Sequence, residues 1–256
     1  MDLDLAGKRV LVTGGSKGIG LACAVAFAAE GAVPVLVARD AAALEEAASG
    51  IRARHGVKAD TMTADLADAE SRERLAAALP DIDVLVNNAG AIPGGSILDL
   101  GMREWEEAWQ LKVFGYIHMT KLFVEGMRQR GGGTIVNVIG MMGKTPRWDY
   151  ACGSAGNAAL IAFTQAVGAR AVDWNVRVFG VNPSATRTER VTTVYRRRAQ
   201  VRFGDEERWA DALGELPFGR LAEPAEIAAL VTLLSSPRVT YLSGSVVDMD
   251  GGGRFR

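Results

Sequence analysis

The sequence is poor in the residues that build metal centres and covalent cross-links. Only two of its 256 residues are cysteine and only two are histidine. Cys23 and Cys152 are too few and too scattered for a disulfide framework or a zinc site, and His55 and His118 lie far apart in the chain. We therefore expect no metal centre and a location in the reducing cytoplasm.

The sequence also lacks long apolar runs and a strong net charge. No apolar run reaches the roughly 18 residues that a membrane-spanning helix requires, and no basic segment followed by an apolar stretch begins the chain. The formal net charge is −1, so no overall field attracts nucleic acid or an anionic membrane. With 48% hydrophobic and 23% charged residues the composition is globular, and we expect a small-molecule partner.

Apolar strand candidates alternate with helical stretches almost to the end of the chain. Strands are predicted at residues 10–12, 33–38, 57–63, 82–86, 134–139, 176–181 and 246–249. Helices are predicted at residues 19–27, 41–54, 67–79, 102–130 with a break near Gly115, 154–173 and 224–235. This alternation predicts an α/β protein with a single Rossmann-type, doubly wound parallel sheet and helices on both faces. Because no linker or repeat divides the chain, residues 1–256 are predicted to form one domain.

Residues 186–223 form the only long stretch that is predicted to be irregular. Between Arg187 and Arg208 this stretch carries seven arginines against four acidic residues. It is either a solvated helix face or a substrate lid that attracts an anion. Bulky apolar residues that could line a substrate site are Met141, Met142, Trp148, Phe203 and Trp209. Together these features favour an apolar small-molecule substrate that bears an anionic group.

Residues 8–20, KRVLVTGGSKGIG, combine a buried strand with a glycine-rich turn. Gly14, Gly18 and Gly20 lie where the strand gives way to an alanine-rich helix. The free N–H groups at a helix N-terminus attract phosphate, and a Cβ in the turn would block the close approach of a pyrophosphate. The alternative is an ordinary strand–helix connection, for which a glycine turn is also sufficient.

Several motifs are in register with this turn. They are Thr13-Gly14-x-x-x-Gly18-x-Gly20, Asp65-Leu66, Asn87-Asn88-Ala89-Gly90, Asn182-Pro183 followed by Thr188, and LSGSVVDMDGG at residues 242–252. With them the chain resembles the short-chain dehydrogenase/reductase family over essentially its whole length. The resemblance implies a nicotinamide dinucleotide bound by Gly14, Ser16, Lys17, Gly18, Ile19, Gly20, Arg39, Asp65, Leu66, Asn87, Ala89, Gly90, Pro183 and Thr188.

The end of the second predicted strand indicates which dinucleotide is bound. An NAD site requires a carboxylate there for the ribose 2′-OH, but the strand ends in Ala38 and Arg39. A guanidinium suits a 2′-phosphate, and Lys17 adds a second cation, so NADP(H) is favoured over NAD(H). Asp40 could be the ribose acid, although we interpret it as a helix cap. Asp65 could contact adenine or cap a helix.

The acid–base residues that the family ordinarily carries are not found at their usual positions. Ordinary members use an Asn on the long helix, a Ser after the fifth strand, and a Tyr and a Lys four residues apart on the next helix. Alignment with these patterns places Lys112 at the Asn, Gly140 at the Ser, Gly153 at the Tyr and Asn157 at the Lys. Residues 97–153 contain no serine, and no lysine follows Lys144. The sequence therefore predicts that the usual tetrad is absent.

A compensating arrangement is nevertheless predicted. Lys112 stands where the family has its Asn, and Asn157 stands where the family has its Lys. The lysine cation could therefore reach the pocket from the long helix instead of from the helix after the fifth strand. Tyr150 could bring a phenol toward Gly153, or could itself occupy the Tyr position in a shifted register, with Ser154 at the Lys position. We predict a rearranged proton-donating site formed by Lys112 with Tyr150 or Ser154. The alternatives are that Lys112 only forms a surface salt bridge and that Tyr150 only packs.

Two classes of function are compatible with these features. The first is an NADP(H)-dependent short-chain oxidoreductase that acts on a carbonyl or alcohol of a small molecule. The second is a catalytically inactive nucleotide-binding sensor or scaffold, and a lyase or isomerase is a weaker third. The resemblance also implies a homodimer or homotetramer that uses the helix at residues 224–235 and the last strand.

Overall fold

Seven parallel strands form a single sheet in the computed structural model, which describes residues 1–255. The strands are β1 (Arg9–Thr13), β2 (Val33–Ala38), β3 (Asp60–Thr63), β4 (Val84–Asn87), β5 (Gly133–Val138), β6 (Val176–Pro183) and β7 (Val246–Met249). Their order across the sheet is β3-β2-β1-β4-β5-β6-β7. The chain order reverses between β1 and β4, which opens a crevice at the carboxyl ends of these strands. The predicted fold class is confirmed.

The helices cover both faces of the sheet. They are α1 (Gly18–Ala29), α2 (Ala41–His55), α3 (Ala69–Ala78), α4 (Met102–Trp109), α5 (Gly115–Gln129), α6 (Ala151–Ala171), α7 (Glu189–Phe203) and α8 (Pro224–Ser235). Alternate residues of a strand point to opposite faces, so Val10 and Val12 pack on α1, α2 and α8, whereas Leu11 packs on α3 and α5. Because helices cover both faces of the sheet, the sequences of the central strands are continuous apolar runs. No helix within residues 1–255 is long and apolar enough to cross a bilayer.

The helix predicted at residues 102–130 is interrupted, as expected, immediately before Gly115. One turn of π-helix, Gln110–Phe114, joins α4 to α5. Such a wide turn inserts an extra residue into the helix and is found mostly at functional sites. Lys112 lies in this turn and is buried.

The prediction that residues 186–223 are irregular was wrong. Most of this stretch is helical: α7 is followed by 3₁₀ turns at Glu206–Leu213 and Pro217–Gly219. Thr188 caps α7 by accepting a hydrogen bond from the Val191 N–H, and Gly204 ends the helix with φ +72°. These two capping residues were the available signal. The arginine-rich composition hid the helix because few of its residues are apolar.

Candidate active site

A cavity of about 820 Å³ opens at the carboxyl ends of the strands. At one end it is lined by Arg39 after β2 and Asp65 after β3, and we call this the β2–β3 end. At the other it is lined by Lys112, Tyr150 and Asn157, and we call this the β5 end. Residues of α7 line the same cavity, so this helix lies over it as a cover.

The glycine-rich turn between β1 and α1 is shaped for close approach of a ligand. Gly14 and Gly18 have φ +65° and +58°, values that side chains disfavour. A Cβ on Gly20 would overlap the Gly14 carbonyl and lie 2.6 Å from Nδ2 of Asn88. Lys17 begins α1 without a side-chain cap, so the first N–H groups of the helix have no side-chain acceptor. This cradle fits the pyrophosphate of a dinucleotide.

Thr13 fixes the turn to the end of β4. Its hydroxyl donates to the Val86 carbonyl at 3.2 Å and accepts from the N–H groups of Asn88, at 2.8 Å, and Ala89, at 3.0 Å. Asn88 Nδ2 donates to the Thr13 carbonyl at 3.0 Å. Asn88 therefore braces the turn and lines the cavity, a role that the sequence prediction missed. The alternation of residues at the end of β4 was the signal that could have found it.

Most of the predicted dinucleotide-binding residues line the cavity. They are Gly14, Ser16, Lys17, Gly18, Ile19, Arg39, Asp65, Leu66, Ala89, Gly90, Pro183 and Thr188. Gly20 lies behind the turn, where it packs on Gly14 and Asn88. Asn87 is instead buried at the end of β4, and its amide donates to Thr120 Oγ1 at 3.2 Å and Asn137 Oδ1 at 3.0 Å.

The charged residues at the β2–β3 end either accept hydrogen bonds from nearby backbone N–H groups or are exposed. Asp40 accepts from the Ala43 N–H at 3.1 Å, so it caps α2 as interpreted. Asp65 accepts from the Ala67 N–H at 3.0 Å, but the interpretation of Asp65 as a helix cap was wrong, because Asp68 caps α3 by accepting from the Ser71 N–H at 2.8 Å. Asp65 lines the cavity. Lys17 pairs with Glu189 of α7 at 2.8 Å. Arg39 is exposed and lines the cavity.

Tyr150 takes the space over Gly153 at the β5 end. A Cβ on Gly153 would overlap Cε1 and Cζ of the Tyr150 ring and lie 2.7 Å from its Cδ1. The phenol oxygen accepts a hydrogen bond from Nη2 of Arg190 at 3.1 Å. Tyr150 therefore does more than pack: its oxygen lies at the cavity, beside a cation from α7.

Asn157 fills the space beside Gly140. A Cβ on Gly140 would lie 2.9 Å from Nδ2 of Asn157, and Gly140 has φ +140°. Asn157 is buried and its side chain lines the cavity. Ser154 lies apart from these residues: its hydroxyl accepts from the Arg147 N–H at 3.2 Å, and it is not part of the cavity wall.

Lys112 is held inside the wall of the cavity. Its Nζ donates to the Tyr116 hydroxyl at 2.8 Å and to the Val138 carbonyl at 2.7 Å, and a Cβ on Gly90 would lie 2.7 Å from its Cδ. Burial lowers the pKa of Lys112 well below 10.5, and the charge of Arg190 lowers it further. Because Lys112 is buried and its partners are a hydroxyl and a carbonyl, it does not form a surface salt bridge.

The buried amine makes stability depend on pH. Because the pKa of Lys112 is lower in the folded state, the unfolded chain binds more protons at pH values between that lowered pKa and 10.5. We expect Lys112→Met to be stabilised relative to the wild type at neutral pH. The difference should shrink as pH rises toward 10.5, with a slope of at most about 1.4 kcal/mol per pH unit. Urea unfolding at several pH values measures this, and parallel curves for the two proteins would contradict it.

The chain belongs to the short chain dehydrogenase family, whose family model matches residues 8–199. It is 34% identical over 253 residues to galactitol 2-dehydrogenase (L-tagatose-forming) of Cereibacter sphaeroides, covering 97% of this chain and 95% of that protein. It is 31% identical to the 3-oxoacyl-[acyl-carrier-protein] reductase of Vibrio cholerae, covering 98% of each. The predicted family, and with it the class of oxidoreductases, is confirmed.

Solved structures agree with this assignment. L-sorbose reductase of Gluconobacter frateurii, complexed with NADPH and L-sorbose, superposes with a TM-score of 0.90 at 32% identity, over 98% of both chains. An NAD⁺-bound xylitol dehydrogenase superposes with a TM-score of 0.90 at 26% identity, covering 97% of this chain and all of that one.

Proposed function

We propose that the protein is an NADP(H)-dependent oxidoreductase that interconverts a carbonyl and an alcohol of a small molecule, with Tyr150 as its proton donor and acceptor. The observation that carries this proposal is the position of the Tyr150 ring over Gly153. Tyr150 is the residue immediately before α6, whereas the tyrosine of ordinary family members lies within that helix. Tyr150 still lies on the cavity wall. The usual tetrad is replaced by this rearranged site.

The hydrogen bonds around Tyr150 suit a proton donor. The Tyr150 oxygen accepts from Arg190, which leaves its own hydrogen free to be donated to a substrate oxygen. Asn157 adds a buried amide to the same wall. Lys112 braces the wall through Tyr116 and the Val138 carbonyl. A nicotinamide cofactor bound in the cavity supplies or accepts the hydride.

We propose NADP(H) as the cofactor because of Arg39. Asp40 is engaged as a helix cap, so the guanidinium faces no competing ribose acid at the end of β2. L-sorbose reductase, which is similar to this chain throughout, was solved with NADPH.

Arg39→Ala should weaken NADPH selectively. We expect its KM for NADPH to rise about 10-fold or more, with little change for NADH, because only the 2′-phosphate contact is lost. The control is Arg54→Ala, which removes an exposed arginine from the far end of α2. Steady-state kinetics with both cofactors test this, and equal losses for both would contradict it.

We propose a substrate that is apolar and carries an acidic group. Met141, Met142, Val191 and Val194 contribute an apolar wall at the β5 end. Trp148, Phe203 and Trp209 are not part of the wall, and Trp148 is 67% exposed. The named relatives act on sugars, polyols or oxoacyl groups, so a small hydroxy or oxo compound is proposed here.

The loss of NADPH absorbance tests the function directly. The test substrates are pairs of compounds that differ only in a carboxylate, and each pair consists of an oxo acid and its methyl ester. The wild-type protein should reduce both compounds and prefer the acid. Cofactor binding without turnover of any ketone, oxo acid or quinone would instead favour a nucleotide-binding sensor.

We also propose a symmetric dimer or tetramer that uses α8 and β7. The family resemblance supports this, and Leu233 of α8 is 40% exposed in the single chain. Light scattering at several concentrations gives the stoichiometry.

A further inference from the structure

We infer that Arg190 of the covering helix α7 supplies the positive charge that stabilises Tyr150 when it gives up its proton. The inference rests on the proposed function, because it assigns a positioning residue to the same site. Arg190 is the second residue of α7. Thr188, two residues earlier, caps the first turn of this helix. Nothing in its local sequence distinguishes it from the other arginines of this helix.

Three hydrogen bonds hold the Arg190 guanidinium at the cavity. Nη1 donates to the Gly90 carbonyl at 2.8 Å, and Nη2 donates to the Ile92 carbonyl at 3.1 Å and to the Tyr150 oxygen at 3.1 Å. The two carbonyls belong to the loop after β4. The charge is therefore fixed between this loop and the phenol by neutral acceptors that leave it uncompensated.

The other cations that line the cavity are neutralised or distant. Arg187 pairs with Glu223 at 2.8 Å, Arg198 with Asp149 at 3.0 Å, and Lys17 with Glu189 at 2.8 Å, while Arg39 lies at the β2–β3 end. The Lys112 Nζ is engaged by the Tyr116 hydroxyl and the Val138 carbonyl, and burial and the nearby charge of Arg190 lower its pKa. Across residues 1–255, no carboxylate forms a salt bridge with Arg190.

A guanidinium at hydrogen-bond distance favours the negative oxygen that remains after proton donation. Because this charge comes from α7, the acid–base pair is complete only when α7 lies over the cavity. The ion pairs of Lys17 with Glu189 and Arg198 with Asp149 connect α7 to the glycine-rich turn and to the segment before α6. The helix that covers the cavity therefore also supplies the charge beside Tyr150.

The test compares charge-keeping and charge-removing variants with an uncharged substrate. Arg190→Gln keeps a donor but loses the charge, and kcat for a neutral ketone should fall about 10²-fold with KM changed less than about threefold. Arg190→Lys should recover most of kcat. Arg197→Gln, which alters an exposed arginine of α7 outside the cavity wall, is the matched control and should behave as the wild type. An unchanged kcat in Arg190→Gln, or a loss confined to KM, would overturn the inference.

A second background separates this inference from the proposed function. In a Tyr150→Phe protein, which has no phenol for the charge to stabilise, Arg190→Gln should change the residual kcat by less than about twofold. Absence of turnover in the wild type would refute the proposed function, whereas turnover that Arg190→Gln lowers equally in both backgrounds would refute the role of Arg190 alone.

Discussion

Tyr150→Phe is expected to lower kcat about 10²- to 10³-fold while the Kd for NADPH stays within about twofold of the wild type. The substitution removes one oxygen and leaves the ring over Gly153, so the cavity keeps its shape. Under the proposed mechanism, only the proton donor is lost, together with the Arg190 contact. Stopped-flow hydride transfer and fluorescence titration of NADPH measure the two quantities separately.

The matched control for this change is Tyr241→Phe. Tyr241 is fully exposed and lies outside the cavity wall, so loss of its oxygen should leave kcat unchanged. Wild-type kcat in Tyr150→Phe would mean that another group or a water molecule donates the proton. Lys112 would then be the first residue to test, because it lines the same cavity.

The parts of the site that depend on local pattern could be predicted from the sequence. The glycine-rich turn is one continuous stretch, and its strand, turn and helix are all specified by neighbouring residues. The same holds for β2, β7 and α8, whose predicted bounds coincide with the structure. Asp40 was correctly interpreted as a cap because the acceptor and its donor are three residues apart.

The parts that depend on contacts between distant residues could not be predicted in the same way. Arg190 meets Tyr150 across 40 residues and the Gly90 carbonyl across 100. Nothing in the local pattern near Arg190 distinguishes it from the other arginines of α7. Ser154 remained a candidate for the same reason, since only the tertiary structure shows that its hydroxyl turns toward Arg147.

The position of Lys112 could be predicted from the sequence, but its charge state could not. Its position in the pocket was predicted from alignment, and the structure places it on the cavity wall. Its charge state was not predictable, because the desolvation that lowers its pKa comes from the π-helical turn and the end of β5 packing around it. The pKa of a lysine expected to act as a cation is therefore lowered by burial, and the guanidinium beside Tyr150 belongs to Arg190 of α7.

Gly153→Ala is expected to lower kcat about as much as Tyr150→Phe, although it adds only a methyl group. The new Cβ would overlap the Tyr150 ring, so the phenol must move away from its position beside Arg190. Overpacking costs about 1–3 kcal/mol, which exceeds the roughly 0.5–1 kcal/mol that alanine gains over glycine in a helix. The free energy of unfolding should therefore fall. Gly50→Ala is the control, because Gly50 lies in α2 with no atom within 4 Å of a new Cβ, and it should be slightly stabilising.

The same clash predicts strong coupling between positions 150 and 153. Gly153→Tyr alone should fold poorly, whereas Gly153→Tyr combined with Tyr150→Ala should recover much of the lost stability, because the second change vacates the space that the new ring needs. Thermal unfolding of the two single variants and the double variant gives the interaction energy, which should exceed about 1 kcal/mol. Additive effects would mean that the Tyr150 ring does not occupy this space in solution. The Tyr150 ring can therefore keep its position only while residue 153 has no side chain. A side chain at residue 153 requires in turn that the ring leave this space.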